Sequence, residues 1–143
     1  MKYIPVVIFA MLIWSNAISA QQNRDPWSNG ELMEPSVLAS RISQGKANNM
    51  LILAVGPDAL IKGSADIGEA HEQSNLKKLK NYLKNVPKDK EVVIYCGCCP
   101  FDRCPNVRPA FRALKEMGFK NPKLLNLPKN IKANWLNKNY PSN

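Results

Sequence analysis

Apolar positions along the chain gather into a few short continuous runs, and polar segments with helical spacing lie between them. Met50-Leu51-Ile52-Leu53-Ala54-Val55 is one such run, bounded by Asn49 and by Gly56-Pro57. A run of this length without alternation predicts a strand buried on both faces. Val92-Val93-Ile94-Tyr95 predicts a second, after the turn Pro87-Lys88-Asp89-Lys90, and Lys123-Leu124-Leu125-Asn126-Leu127 predicts a third. Between Ala59 and Ile67 the pattern is that of a turn and a short strand. The intervening segments read as helices. Glu34-Pro35-Ser36 opens one, with Val37, Leu38 and Ile42 on one side and Gly45 as its stop. Leu76, Leu79 and Leu83 stripe another at i, i+3 and i+7, leaving Lys77, Lys78, Lys80 and Lys84 on a solvated face. A third runs from about Asn106 to Met117, with Phe111, Leu114 and Met117 towards the core and Gly118 ending it. Ile131, Trp135 and Leu136 mark a short last one. Strands alternating with helices predict an α/β domain, an open parallel sheet flanked by helices on both faces. Such sheets bind ligands at the carboxyl ends of their strands, and Cys96 directly follows one.

The N-terminus breaks this pattern. Lys2 precedes an apolar stretch from Ile4 to Trp14, followed by Ser15, Asn16, Ala17, Ile18, Ser19 and Ala20. This is the anatomy of a secretory signal peptide over residues 1–20, cut after Ala20. The apolar run falls short of the roughly 20 residues that span a bilayer, so no stable membrane insertion is expected after cleavage. Residues 21–30 form a polar arm whose Trp27 packs on the domain, and residues 31–143 form a single domain, in keeping with the chain length of 143. The expected location is exported, periplasmic or secreted, and the expected state a monomer. Without Lys2 the chain keeps nineteen basic residues against eleven acidic ones, a formal charge of +8. That field favours anions of every size and selects none of them, while export excludes nucleic acid as a partner.

All four cysteines fall between Cys96 and Cys104, in Cys96-Gly97-Cys98-Cys99-Pro100-Phe101-Asp102-Arg103-Cys104-Pro105-Asn106. A loop from a strand end to a helix N-terminus offers backbone N–H groups and the positive end of the helix dipole. Both lower a thiol pKa and hold an anion. Cys96 is therefore the candidate nucleophile. Gly97, Cys98, Cys99, Arg103, Cys104, Asn106 and Arg108 are candidates for binding an anion or persulfide, or for resolving it.

Four segments in order carry a resemblance: Ile61-Lys62-Gly63-Ser64-Ala65-Asp66-Ile67-Gly68; Glu91-Val92-Val93-Ile94-Tyr95-Cys96; Ala110-Phe111-Arg112-Ala113-Leu114-Lys115-Glu116-Met117-Gly118-Phe119; and Leu124-Leu125-Asn126-Leu127 with Trp135 and Asn139-Tyr140-Pro141. Together they resemble the rhodanese homology domain from Glu31 to Pro141. The resemblance implies a five-stranded parallel sheet, Cys96 as catalytic residue, and a persulfide intermediate. It also implies transfer of sulfur from a small sulfur-containing anion such as thiosulfate to a thiol or protein acceptor, with no cofactor. The chain departs from the family in three places. Eleven residues separate Cys96 from Arg108, three of them cysteines. Ala54-Val55-Gly56 stands where an aspartate and an arginine are frequent, and Pro128-Lys129 where paired glycines occur.

Two other chemistries fit the loop. Cys96 to Cys99 is also a C-x-x-C, the pattern of a thiol-disulfide or sulfur-relay module. Neighbouring Cα atoms are about 3.8 Å apart, under the roughly 4.4 Å minimum for a disulfide, so Cys98 to Cys99 is disfavoured. Cys104 is expected to pair with Cys98 or Cys99, leaving Cys96 and one other thiol as an attacking and resolving pair. Metal binding is the third chemistry. Thiolates suit zinc or copper(I), but C-x-C-C-x4-C lacks the two separated knuckles of structural zinc, and no metal is assigned. His71, the single histidine, and Asp58 and Asp66 read as surface and turn residues unless the fold carries their loops towards the strand ends. Arg108 lies in a first helical turn, where its charge opposes the dipole unless an anion or Asp102 meets it.

Overall fold

A computed structural model describes residues 25–143. The signal-peptide assignment and the first part of the arm lie outside the described residues. None of the described helices is long and apolar enough to cross a membrane.

Five strands form one parallel sheet in the order β1-β5-β4-β2-β3. They are β1 (Leu32–Met33), β2 (Met50–Ala54), β3 (Ala65–Asp66), β4 (Glu91–Tyr95) and β5 (Pro122–Leu125). The apolar runs became the three interior strands, because a strand covered on both faces has no polar side to show. Leu53 and Ile94 pair across β2 and β4 and are both fully buried. β1 has no such signature. It is two residues long, and its place at the edge is set by pairing Leu32 and Met33 with Leu124 and Leu125.

Four helices cover the sheet: α1 (Pro35–Ser43), α2 (Gln73–Leu83), α3 (Val107–Glu116) and α4 (Ile131–Asn134). Leu79 and Leu83 of α2 join Val107, Ala110, Phe111 and Leu114 of α3 in one core layer with Leu53, Val92 and Ile94. On the other face Leu38 and Ala39 of α1 meet Ile131 of α4, Trp135, Ile52, Val93 and Tyr95. The buried face of α1 is turned from the expected one: Val37 is 43% exposed and Ala39 takes its place inside. Met117 caps α3 and is only partly buried, and Gly118 follows in the left-handed conformation that ends the helix.

Because all strands run the same way, the segments leaving β2, β3 and β4 emerge on one edge. Val55 N–H donates to the Tyr95 carbonyl at 2.9 Å, and Ala70 N–H to the Val55 carbonyl at 3.1 Å. These bonds extend the sheet past its strands and draw Gly56, Ala70 and Cys96 together.

Candidate functional site

Cys96 follows β4 directly and is 2% exposed. Two backbone contacts fix the loop that it opens. Ile131 N–H donates to the Gly97 carbonyl at 3.0 Å, and Phe101 N–H to the Leu127 carbonyl at 3.1 Å. The approach at Gly97 is so close that a Cβ there would stand 2.7 Å from Ile131 Cγ2. On the other side Gly56 backs onto Cys96, and a Cβ on Gly56 would fall 2.6 Å from the Cys96 sulfur. A short helical turn, Phe101–Arg103, then folds the chain back and buries Cys104 completely.

The result gathers sulfur around Cys96. Cys98 Sγ lies 3.3 Å from Cys96 Sγ, and the sulfurs of Cys96, Cys98 and Cys104 all lie within 4.8 Å of one another. Cys99 Sγ touches only this rim, 2.8 Å from Cys98 Sγ. All four cysteines are free. The trio is compact enough to meet one thiophilic cation, yet offers three donors where structural zinc takes four. Cys104 thus groups with Cys96 and Cys98, and Cys99 stands outside.

Asn106 is the one buried polar side chain among the described residues, 1% exposed. It occupies the N-cap position of α3 but makes no side-chain cap bond. An N-cap side chain serves the N–H of the second or third helical residue. Here the third is Pro109, which has none. The amide turns to the site instead: Nδ2 donates to Cys96 Sγ at 3.5 Å. Oδ1 accepts from the His71 backbone N–H at 3.0 Å and faces His71 Nδ1 at 2.7 Å. A backbone N–H can only donate, so the amide's orientation follows from the chemistry.

These donors govern the charge of the cluster. The Cys104 thiol donates to Cys96, joined by the backbone N–H of Cys98, Asn106 and the Cys98 thiol. Against the opposing effect of burial they bring the Cys96 thiol down to about 5. Burial, with Cys99 and Cys96 nearby, pushes Cys98 up to about 12. Donation to Cys96, then burial, pushes Cys104 up as well. One thiolate flanked by neutral thiols is the ground state near neutral pH.

The two arginines sit elsewhere. Arg103 is exposed in its helical turn. Arg108 is bound by Asp25 Oδ1, at 3.0 Å from Nε and 2.6 Å from Nη2, and by the Asp102 carbonyl at 2.6 Å. It also lies over the ring of Trp27, 5.3 Å from the centroid. Trp27 in turn packs edge-on to Phe111. The arm is therefore clamped to α3 through Arg108, the same residue that the sequence offered to a bound anion. Sequence reading assigns Gly56 no part in the site and takes His71 as a surface residue unless the fold carries its loop to the strand ends, which it does. A parallel sheet puts the exit of β3 on the same edge as the exit of β4, which is the signal that could have singled out His71.

No protein-family profile matches the chain, and no curated protein matches it. Solved structures do. A protein from Lactobacillus plantarum superposes with a TM-score of 0.58 at 15% identity, over 79% of this chain and 87% of that one. The Alr3790 protein from Anabaena sp. superposes with a TM-score of 0.55 at 17% identity, over 78% and 90%. A NAD-dependent persulfide reductase from A. fulgidus shows a more distant similarity, with a TM-score of 0.36 at 22% identity over 70% of this chain and 18% of that one. The first two likenesses are to the fold, a small α/β domain.

Proposed function

We propose that the protein is an exported, rhodanese-like sulfurtransferase in which Cys96 carries sulfane sulfur as a persulfide. The observation that supports this most directly is the set of donors aimed at one sulfur. Cys96 is held as a thiolate at the carboxyl end of a central strand, with Asn106, Cys104 and the Cys98 backbone N–H around it. In the transfer step the Cys96 thiolate attacks the outer sulfur of thiosulfate. The sulfur–sulfur bond of the donor breaks, sulfite leaves with its electron pair, and Cys96 keeps the added sulfur as a persulfide anion. A thiophilic acceptor then takes that sulfur and restores the thiolate. No external oxidant or reductant enters either step, and donors placed for the thiolate are near the new terminal charge.

Intact and peptide mass spectrometry of the reduced protein, before and after thiosulfate, tests the reading, with Cys96→Ser as control. Gain of one sulfur atom on Cys96, removable by cyanide, is expected. No gain, with loss of two hydrogens between loop cysteines, overturns it and favours the thiol-disulfide reading. That second reading has its own support in the 3.3 Å separation of the Cys96 and Cys98 sulfurs.

A further inference from the structure

His71 stands 25 residues before Cys96 in the chain, yet two of its groups meet Asn106, which touches the Cys96 sulfur. The bond at Nδ1 has only one sense. An amide oxygen accepts, so Nδ1 must carry a proton. Nε2 lies 3.0 Å from Glu72 Oε1, and a carboxylate also only accepts. Both ring nitrogens can donate at once only in the imidazolium form, the form that these two contacts favour. Deprotonation at Nε2 would set a lone pair against the Glu72 carboxylate.

We propose that His71 is a positioning residue for Cys96: through Asn106 it fixes an amide N–H on the sulfur, and its positive charge strengthens that hydrogen bond. The inference rests on the reading of Cys96 as the sulfur acceptor and adds the part that holds and tunes it. The chain of bonds runs one way. Imidazolium polarises the Asn106 carbonyl, the amide N–H gains positive character, and the thiolate or the persulfide anion is held more firmly. The bond to Asn106 raises the His71 pKa above its ordinary value, with the nearby carboxylates of Glu72 and Glu69 adding to the effect. The other titratable groups that face this unit are the thiols of Cys98 and Cys104, on the Cys96 side. Both are raised and stay neutral through the histidine range.

The discriminating variants are His71→Ala and His71→Asn. Alanine keeps the backbone N–H to Asn106 and loses the ring. Asparagine restores an N–H where Nδ1 stands but cannot titrate. The side chain of His71 is 42% exposed, so neither change opens the core. The readout is the pH dependence of iodoacetamide labelling at Cys96, placed by tandem mass spectrometry on the intact chain. Its midpoint reports ionisation rather than nucleophilicity. In His71→Ala the midpoint is expected to rise by about half a pH unit, a threefold loss of ionisation, the scale of one weakened hydrogen bond. His71→Asn is expected to recover part of that shift, the part due to the N–H alone, and to lose the second step that the wild-type curve shows where His71 titrates. A His71→Ala curve that overlays the wild type overturns the proposal, and so does an asparagine variant no better than alanine. Thiosulfate loading of the wild type, run in parallel, separates the two ideas. Absence of added sulfur sinks the transferase reading, whereas the labelling curves answer for His71 on their own.

Discussion

Gly56→Ala tests the geometry of the site with one methyl group. Gly56 is not among the residues with positive φ, so alanine brings no backbone strain and any effect is steric. The added Cβ would lie 2.6 Å from Cys96 Sγ and 3.3 Å from Cys96 Cα. Heavy atoms in contact prefer about 3.5 to 4.0 Å, so the sulfur must yield by about an ångström. The nearby Cα narrows the escape routes. Overpacking of this kind costs about 1–3 kcal/mol, which for a domain of this size lowers Tm by several degrees. The site loses more than stability. A sulfur displaced by about an ångström leaves the 3.5 Å bond from Asn106 and its alignment with Cys104. The Cys96 thiol then climbs from about 5 towards the ordinary value of about 8.5. Labelling rate at one pH is a poor measure, since a more basic thiolate is a better nucleophile and offsets its lower abundance. The midpoint of the pH curve avoids that cancellation. A Gly56→Ala protein with wild-type Tm and a wild-type labelling midpoint would falsify the placement of Gly56 against Cys96.

Cys104→Ala removes the largest contribution to Cys96 ionisation, so the labelling midpoint should move up by more than in any single variant at Asn106 or His71. A midpoint left near pH 5 would show that Cys104 does not donate to Cys96. The sign for folding follows from the same shift: a thiol lowered by the fold adds stability above its unfolded value and loses it as pH falls towards about 5. Cys96→Ala should therefore flatten the fall in stability between about pH 8.5 and 5, read from urea midpoints, and an unchanged slope would contradict the assignment. Tyr95→Phe removes a buried hydroxyl that accepts from the Ile61 N–H at 3.1 Å and meets Ser64 Oγ at 2.9 Å. The orphaned N–H should cost about 1–3 kcal/mol with little change at Cys96, whereas a variant as stable as the wild type would mean that these bonds are not made.

The sheet was legible because its interior strands are dry on both faces, and dryness leaves a one-letter trace in runs such as Met50 to Val55 and Val92 to Tyr95. The leucine stripe of α2 was legible for the same reason at a different period. β1 was not, since a two-residue edge strand is defined by the partner backbone it finds rather than by its own side chains. The turned face of α1 has a similar origin: Val37 and Ala39 are both apolar, and only the tertiary layer decides which of them enters. At the site, Cys96 was legible from its place after a strand. Cys98, Cys104 and Asn106 were legible with it as loop residues, and all three reach its sulfur. Which loop cysteine stands outside was not legible, because Cys104 returns through a helical turn, and the place of His71 was not, because it arrives through a sheet edge. Arg108 shows the limit from the other side. Its residue type suited an anion, but Asp25, 83 residues earlier in the chain, holds it.

Why one loop should carry three thiols within 4.8 Å follows from charge. With Cys96 and Cys104 buried, a second thiolate beside the first would be opposed by desolvation and by repulsion together, so the cluster holds a single negative charge. The remaining thiols then act as donors, and a thiol donor differs from an N–H donor in one respect: it can surrender its proton and become the next nucleophile. When the charge sits on Cys96, Cys104 and Cys98 stabilise it. In the proposed persulfide form of Cys96 the outer sulfur would hold the charge and the same thiols would lie next to the sulfur–sulfur bond, with Cys98 exposed to solvent and Cys104 buried. That form would have two chemical exits, an acceptor arriving from solvent or an internal thiol closing a disulfide and expelling hydrosulfide. Asn106 differs from both thiols in that it donates without being able to react. A site built with Asn106 and His71 on one side and thiols on the other is arranged to hold the charged sulfur, and the competition between the two exits is set by which thiol keeps its proton.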